Sequence, residues 1–69
     1  MNLFAKRLKE LRKEKKLTQV QMAAVLEISG RNYQNYELSK YEPNIDGLIE
    51  IADYFGVSLD YLLGRSDER

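Results

Sequence analysis

Two helix starts stand eleven residues apart near the middle of the chain, at Thr18 and at Ser29. Thr18 can accept a hydrogen bond from the backbone amide of Gln21, whose side chain can reach back to the Thr18 amide, so the two form a capping box. Ser29 can cap a second helix. An apolar residue precedes each cap, Leu17 and Ile28 respectively, as in a hydrophobic staple. The pattern predicts two short helices joined by a very tight turn.

The remaining sequence predicts three more short helices and no strand. Polar caps stand at Asn2, Asn44 and Ser58, and Gly56 and Gly64 are placed to end the last two helices in the left-handed conformation. We therefore expect an all-α, compact five-helix domain over residues 1–64, followed by a polar and frayed tail at 65–69. The helices are expected at about 3–15, 19–26, 30–38, 45–55 and 59–63.

Composition excludes several classes of protein. The 69 residues allow one domain, and the chain contains neither Cys nor His. A disulfide scaffold, a thiolate nucleophile and a Cys/His zinc site are thereby excluded, and no cofactor is predicted. No apolar run approaches the ~20 residues that cross a bilayer, and the first residues lack the apolar region of a signal peptide. We expect a cytoplasmic protein with no membrane partner and no small-molecule substrate.

Net charge is zero, but the charges are unevenly distributed. Residues 1–16 carry seven basic and two acidic side chains, whereas residues 44–69 carry six acidic and two basic ones. Such a dipolar molecule can turn its basic side toward phosphates and its acidic end away. The alternative is that the first helix is simply charged and solvated.

The tandem helices predict a helix-turn-helix, whose second helix can enter the major groove of DNA. The chain also contains L-T-Q-x-x-x-A-x-x-L-x-I-S, then Y-x-x-Y-E, then P, then L-x-x-I-A-x-Y-F-x-V-S-L-D-Y-L-L-G. These motifs resemble the Cro and phage-repressor type of helix-turn-helix family, which is the lambda-repressor-like or xenobiotic-response-element family. The match covers about Phe4 to Gly64. The resemblance implies a sequence-specific DNA-binding regulator of transcription in a bacterium or phage, either a repressor or an autoregulated controller.

By this resemblance, the outer face of the third helix reads bases. The positions that match the family pattern are Gly30, Arg31, Gln34 and Asn35, with Asn32 at the margin. The chemistry agrees, because arginine can bind guanine O6 and N7 while glutamine and asparagine can pair with adenine N6 and N7. The alternative is a polar, solvated helix face.

The resemblance also assigns contacts to the DNA backbone. Gln19 is expected to contact a phosphate and to brace the first reading residues of the third helix. The alternative is an ordinary first-turn residue of good helix propensity. Lys40, Asn32 and the amides at the Asn44 helix start are expected to contact phosphate, since a helix N-terminus favours anions. For Lys40 the alternative is a solvated loop lysine.

In the family an arginine late in the first helix pairs with the glutamate that ends the third helix, and Arg12 and Glu37 stand at those positions. We read Glu37 as structural, and Arg12 as structural with a possible phosphate contact. The chain departs from the family at two places. Gly30 has no side chain at a position where many members have a base-reading side chain. Leu38-Ser39 stand where the family favours Asn-Gly, so we expect a different turn there.

One reading helix gives too small an interface for tight specific binding, so we expect a homodimer on a palindromic operator of double-stranded DNA. An apolar excess near the C-terminus suits a two-fold contact. The predicted dimer interface comprises Tyr54, Leu59, Tyr61 and Leu63.

The sequence leaves two alternatives to DNA binding. The first is a protein-interaction module with the same fold, such as an antitoxin-like partner, which would use the last helix with Tyr54 and Tyr61. The second is an enzyme. Asp46 and Glu50 lie four residues apart on one helix, but they lack metal-site partners and are better read as solvated charges, so we predict no enzymatic activity and no metal.

Overall fold

The computed structural model describes residues 3–69 and contains five α-helices in that part of the chain. They are α1 (Phe4–Glu14), α2 (Gln19–Val25), α3 (Gly30–Glu37), α4 (Ile45–Phe55) and α5 (Leu59–Leu63). The all-α, five-helix prediction is confirmed, with each boundary within one residue of expectation. The cap predicted at Asn2 lies outside the described residues. Between residues 3 and 69, no helix is both long and apolar enough to cross a membrane.

The four other predicted helix caps are present. The Thr18 hydroxyl accepts a hydrogen bond from the backbone amide of Gln21 at 3.1 Å, and the side-chain oxygen of Gln21 accepts one from the Thr18 amide at 2.9 Å. The side chains of Ser29, Asn44 and Ser58 each accept from the amide three residues later. Each cap satisfies an amide that would otherwise lack a partner in the first turn, which fixes where its helix begins.

All five helices end in a left-handed residue. Gly56 (φ 67°) and Gly64 (φ 83°) do so as predicted, but Lys16, Glu27 and Ser39 also have φ values near 60°. In each case two backbone amides reach back to carbonyls of the last turn, as in a Schellman motif. Ser39, where the family favours glycine, thus adopts a conformation that glycine would occupy with less strain.

The core contains buried side chains from all five helices, and α1 packs against α3 and α5. The T-shaped contacts of Tyr36 with Phe4 and Tyr33, at ring-centroid distances of 6.3 and 6.4 Å, connect α1 to α3. The apolar stripe of α4 is confirmed, with Ile51 and Ala52 buried and its flanking apolar residues partly buried. The buried core residues are Phe4, Leu8, Leu11, Met22, Ala23, Leu26, Tyr33, Ile51, Ala52, Val57 and Leu62.

The C-terminal tail is docked, which corrects the expectation that residues 65–69 fray. The carbonyl of Ser66 accepts a hydrogen bond from the Arg7 guanidinium at 2.7 Å. The carbonyl of Arg69 accepts one from the Ser58 amide at 2.7 Å, and its guanidinium donates to Glu14 at 2.8 Å. These contacts connect the tail to α1 and to the start of α5. The polar composition of residues 65–69 therefore did not predict how the tail packs.

Candidate nucleic-acid interface

The turn between α2 and α3 sets the orientation of the third helix. Leu26 and Ile28 pack against the core on either side of Glu27, whose positive φ reverses the chain. Ala23, only 3% exposed, has a small side chain at the inner face of α2, so α2 and α3 can approach closely. The tandem caps and this turn produce the helix-turn-helix geometry that the sequence predicts.

The outer face of α3 carries the predicted base-reading positions. Gly30, Arg31 and Gln34 are exposed. Among the described residues, neither the Arg31 side chain nor the Gln34 side chain has a hydrogen-bond or ion-pair partner, so both are free to bind a ligand. Because they lie three positions apart on one helix, they share a face. Asn35, by contrast, is half-buried and hydrogen-bonded.

Tyr41 joins this surface, although the sequence did not point to it. Its hydroxyl donates to Oδ1 of Asn32 at 2.5 Å and accepts from Nδ2 of Asn35 at 3.1 Å. Asn32 and Asn35 are thus held by a residue from the loop that follows α3. The only signal in the sequence was an aromatic residue in an otherwise polar loop, which does not by itself specify a partner.

Gly30 is required neither by packing nor by backbone conformation. A Cβ atom added there would meet nothing within 4 Å, and its φ lies outside the left-handed region. Glycine at this position weakens the first turn of α3 relative to alanine. Nothing in the described residues therefore explains why glycine stands at this position.

Glu37 is held by three side chains from three different helices. Arg12 of α1 donates from Nε to Oε2 at 2.7 Å, and Gln19 of α2 donates to Oε1 at 3.0 Å. The hydroxyl of Tyr33 in α3 also donates to Oε2. The Arg12 and Glu37 side chains are only 10% and 3% exposed. This cluster, called here the Glu37 cluster, fixes the end of α3 against α1 and α2.

The electrostatics of the Glu37 cluster favour the ionised pair. Burial alone would raise the pKa of Glu37, but hydrogen bonds from Arg12, Tyr33 and Gln19 outweigh it and lower the pKa below its ordinary value of 4.5. Burial, followed by the hydrogen bond to Glu37, raises the pKa of Tyr33 well above its ordinary value. At neutral pH the carboxylate is therefore charged and the phenol is neutral.

Two of the predicted roles change with this geometry. Gln19 braces Glu37 at the last residue of α3, and not the first reading residues as expected. Arg12 is 8% exposed and also donates to the carbonyl of Leu17 at 2.8 Å, so its guanidinium is occupied within the domain. Arg12 is structural, and the phosphate contact considered for it does not fit its burial.

The candidate phosphate contacts flank α3. Lys40 is exposed, with no ion-pair partner among the described residues. The Asn44 side chain is occupied in capping the Gly47 amide, which leaves the amides of Ile45 and Asp46 without partners in the described chain. Those amides can bind phosphate, although the Asp46 carboxylate in the same turn opposes an anion there.

The basic first helix contributes fewer free charges than its sequence suggests. Arg7 and Arg12 are both buried and hydrogen-bonded within the domain. The remaining basic residues of the segment are exposed, so they can act on phosphates through long-range attraction. They are Lys6, Lys9, Lys13, Lys15 and Lys16.

Residues 5–68 match the protein family described as a helix-turn-helix domain. The chain belongs to the helix-turn-helix family. A structure titled as a transcriptional regulator from Listeria innocua superimposes with a TM-score of 0.88 at 35% sequence identity, covering all of this chain and 64% of that one. The resemblance to Cro and phage repressors is confirmed by these matches and by the relatives described next.

Two curated proteins that are similar to this chain are regulators of transcription. One is the uncharacterized HTH-type transcriptional regulator YqaE of Bacillus subtilis, 48% identical over 97% of this chain and 59% of that protein. The other is the cryptic phage CTXphi transcriptional repressor RstR of Vibrio cholerae, 41% identical over 86% of this chain and 53% of that protein. The chain thus spans between half and three-fifths of the length of these relatives.

The residues predicted for a dimer interface are only partly available on this helix-turn-helix domain. Leu59, Tyr61 and Leu63 are half-buried and pack against the core of their own chain, whereas Tyr54 is 38% exposed. The ring of Tyr61 is also covered by the guanidinium of Arg7, 3.9 Å from its centroid. The contact that this surface can make is therefore small.

The paired acids on α4 show no sign of a reactive site. Asp46 and Glu50 are both exposed. Among the described residues, no group of three or more acidic side chains could hold a metal ion. The two carboxylates are best explained as solvated charges at the acidic end of the domain.

Proposed function

We propose that this helix-turn-helix domain is the DNA-binding part of a sequence-specific transcriptional regulator that acts as a repressor. The observation that carries the proposal is the free polar face of α3, where Arg31 and Gln34 are exposed and have no partner within the described chain. The helix beneath them is held rigidly by the Glu37 cluster. A side chain that is free on a fixed helix can be matched to base edges in the major groove.

In the proposed complex, some residues contact bases and others contact the DNA backbone. Arg31, Gln34 and Asn35 read base edges, and Gly30 allows the start of α3 to come close to the groove. Lys40 and the first amides of α4 bind phosphates on one side of α3, and Gln19 is proposed to bind one on the other. Such phosphate contacts fix the register of the reading helix, while base contacts supply specificity.

Repression is proposed because the matched relatives are regulators, including a phage repressor. A protein that covers an operator can exclude polymerase without any catalytic step, and we propose no enzymatic activity and a cytoplasmic location beside the DNA. The test is a selection of duplexes from a random library, followed by a reporter carrying the selected site. Lower reporter output with the protein is expected, and higher output would overturn repression while leaving DNA binding intact.

Arg31→Ala is expected to weaken binding to the selected site by ~1–3 kcal/mol, because one bidentate contact to a guanine is lost. Its thermal midpoint should stay unchanged, since the side chain is exposed and has no partner in the described chain. Binding is measured on the selected duplex, on the same duplex with that guanine replaced, and on a random duplex. Equal loss on all three would show that Arg31 contacts phosphate and does not read bases.

We also propose that two copies bind a palindromic operator. A two-fold contact through α5 and Tyr54 would place two reading helices about 34 Å apart, matching half-sites one turn apart. The small apolar area left free near α5 indicates weak pairing without DNA. The free protein is therefore expected to be monomeric at low concentration and to pair on the operator.

Sedimentation with a full palindrome and with a single half-site tests this pairing. Two chains are expected on the palindrome, with much weaker binding to the half-site. Tyr54→Lys should reduce paired binding, whereas Ile49→Lys, which changes another exposed apolar residue of α4 outside the predicted interface, should leave it intact. If one chain binds a lone half-site as tightly as a pair binds the palindrome, the dimer proposal fails.

The alternative of a protein-interaction module receives less support. It needs a free apolar surface on α5, but Leu62 is buried, the other apolar residues of that helix are half-buried, and the Tyr61 ring is covered by Arg7. Sequence-selective and salt-dependent binding to duplex DNA would separate the two functions, because counterion release accompanies phosphate contacts.

A further inference from the structure

We propose that Tyr41 is a positioning residue for base recognition, which fixes the side-chain amides of Asn32 and Asn35 before DNA binds. The inference rests on the proposed function, because it assigns a specificity role within the same surface. Tyr41 lies in the loop between α3 and α4, outside the reading helix itself. It was not among the residues expected to contact DNA.

The hydrogen-bond directions around Tyr41 are mutually determined. A phenol hydroxyl has a single proton to donate, and here it goes to Oδ1 of Asn32 at 2.5 Å. The group of Asn35 that faces the hydroxyl must then be a donor, and its Nδ2 lies 3.1 Å away. With the hydroxyl proton directed to Asn32, turning the Asn35 amide over would place its oxygen against the hydroxyl oxygen, with no proton between the two acceptors. The hydroxyl therefore couples the orientations of the two asparagine side chains.

This orientation determines which groups remain for DNA. Asn35 keeps its carbonyl oxygen and the second hydrogen of its amide, which is the pair that complements N6 and N7 of adenine. Asn32 keeps its amide nitrogen with two hydrogens, which suits an acceptor such as a phosphate oxygen. The hydrogen bonds of Tyr41 thus leave Asn35 with groups that can read a base, and they leave Asn32 with groups that can contact the DNA backbone.

The ring of Tyr41 is itself fixed by the core. It meets Tyr36 edge-on, with ring centroids 5.8 Å apart and planes at 90°. Tyr36 makes edge contacts with Phe4 and Tyr33, which are both buried. An aromatic ladder therefore runs from the centre of the domain to the reading surface. Side chains ordered in advance lose less entropy on binding, so a fixed Tyr41 favours the correct base.

The test compares base discrimination by Tyr41→Phe with that of a matched control. Tyr36→Phe also removes one hydroxyl from the ladder, but that hydroxyl makes no hydrogen bond within the described residues. The base pair read by Asn35 is first identified as the position where Asn35→Ala loses its preference. Tyr41→Phe is expected to reduce the preference for adenine there by roughly threefold to tenfold, the effect of one net hydrogen bond.

Three further measurements separate positioning from a merely structural role. The thermal midpoint of Tyr41→Phe should match that of the wild type, because the ring packing is retained. In the Asn35→Ala background, adding Tyr41→Phe should cause no further change in base preference, since the residue acts through Asn35. In the free protein, side-chain amide NMR signals of Asn32 and Asn35 should shift in Tyr41→Phe but not in Tyr36→Phe.

The outcomes distinguish this inference from the proposed function. If the wild type selects no duplex, the proposed function is overturned and the inference falls with it. If the wild type selects a site but Tyr41→Phe keeps the full preference at the Asn35 position, only the inference is overturned. Equal loss of affinity for all four bases also overturns it, because Tyr41 would then contact the DNA backbone or support the fold.

Discussion

Glu37→Ala is expected to lower the free energy of unfolding by about 3–5 kcal/mol, because it leaves the buried Arg12 charge without its carboxylate. It also removes the acceptor for Tyr33 and Gln19, so three donors lose their partner at once. The loss is comparable with the whole stability of a domain this small. The measurement is the urea midpoint, taken at low temperature so that a folded baseline remains.

The matched control is Gln34→Ala in the same helix. Gln34 is exposed and has no partner in the described chain, so its removal should change stability by less than about 0.5 kcal/mol. The two variants should also differ in where they act, because Gln34→Ala affects DNA binding alone. Similar urea midpoints for both would show that Glu37 is solvated and that the Glu37 cluster contributes nothing.

The stability that Glu37 contributes depends on pH. The pKa of Glu37 is lowered in the folded state, so its contribution to stability is fully present above the ordinary pKa of 4.5. That contribution is lost as pH falls through the lower folded pKa. The stability difference between wild type and Glu37→Gln should therefore be large at neutral pH and shrink in acid. A difference that stays constant down to about pH 3 would contradict the lowered pKa.

Comparison of wild type with variant is needed because Glu37 is not the only group of this kind. The pKa of Glu14 is also lowered, by its hydrogen bond to Arg69. Because Glu14 is exposed, its contribution to stability is small. That contribution is the same in the wild type and in the variant. Subtracting one pH profile from the other leaves the contribution of Glu37.

The parts of the fold that were predicted from sequence depend on local chemistry. Thr18, Ser29, Asn44 and Ser58 cap amides three residues away, so the signal and its partner lie within one turn. The apolar stripe of α4 is local in the same sense. Such features need no knowledge of the tertiary structure, which is why the helix boundaries agreed so closely.

The features that were missed depend on distant contacts or on unfavourable backbone conformations. Lys16, Glu27 and Ser39 adopt the left-handed conformation only because the packed helices require a reversal there, and none is a glycine. The Arg12–Glu37 pair was expected from family resemblance alone. Within the candidate interface, Arg31 and Gln34 were expected from the family resemblance and from their side-chain chemistry, whereas the hydrogen bonds of Tyr41 to Asn32 and Asn35 could be seen only in the folded loop.

Arg7 is the clearest case of a role that no local pattern reveals. Its guanidinium donates to the carbonyls of Tyr61 and Ser66, each at 2.7 Å, and to the Asp67 carboxylate at 2.9 Å. These partners lie more than fifty residues along the chain. The guanidinium also stacks on the Tyr61 ring. In sequence, Arg7 was one of seven basic residues in a segment that suggested phosphate attraction.

The geometry shows why an arginine is suited to this position. The planar guanidinium presents donors in several fixed directions while one face remains free to stack on an aromatic ring. One side chain thereby connects α1, the end of α5 and the tail. Asp67 is fully exposed, so the ion pair itself contributes little, and most of the stabilisation comes from the two carbonyl contacts and the burial.

Arg7→Ala is therefore expected to lower the free energy of unfolding by about 2–4 kcal/mol, since charge-assisted hydrogen bonds and the packing of the side chain are both lost. Arg7→Lys should recover only part of this, because an ammonium lacks the planar fork. Lys6→Ala, which removes an exposed neighbouring charge, is the control and should be close to neutral. Hydrogen exchange adds a local readout: in Arg7→Ala, the Ser58 amide, which donates to the Arg69 carbonyl, should lose protection as the tail detaches. Unchanged protection together with a wild-type urea midpoint would show that the tail is held without Arg7.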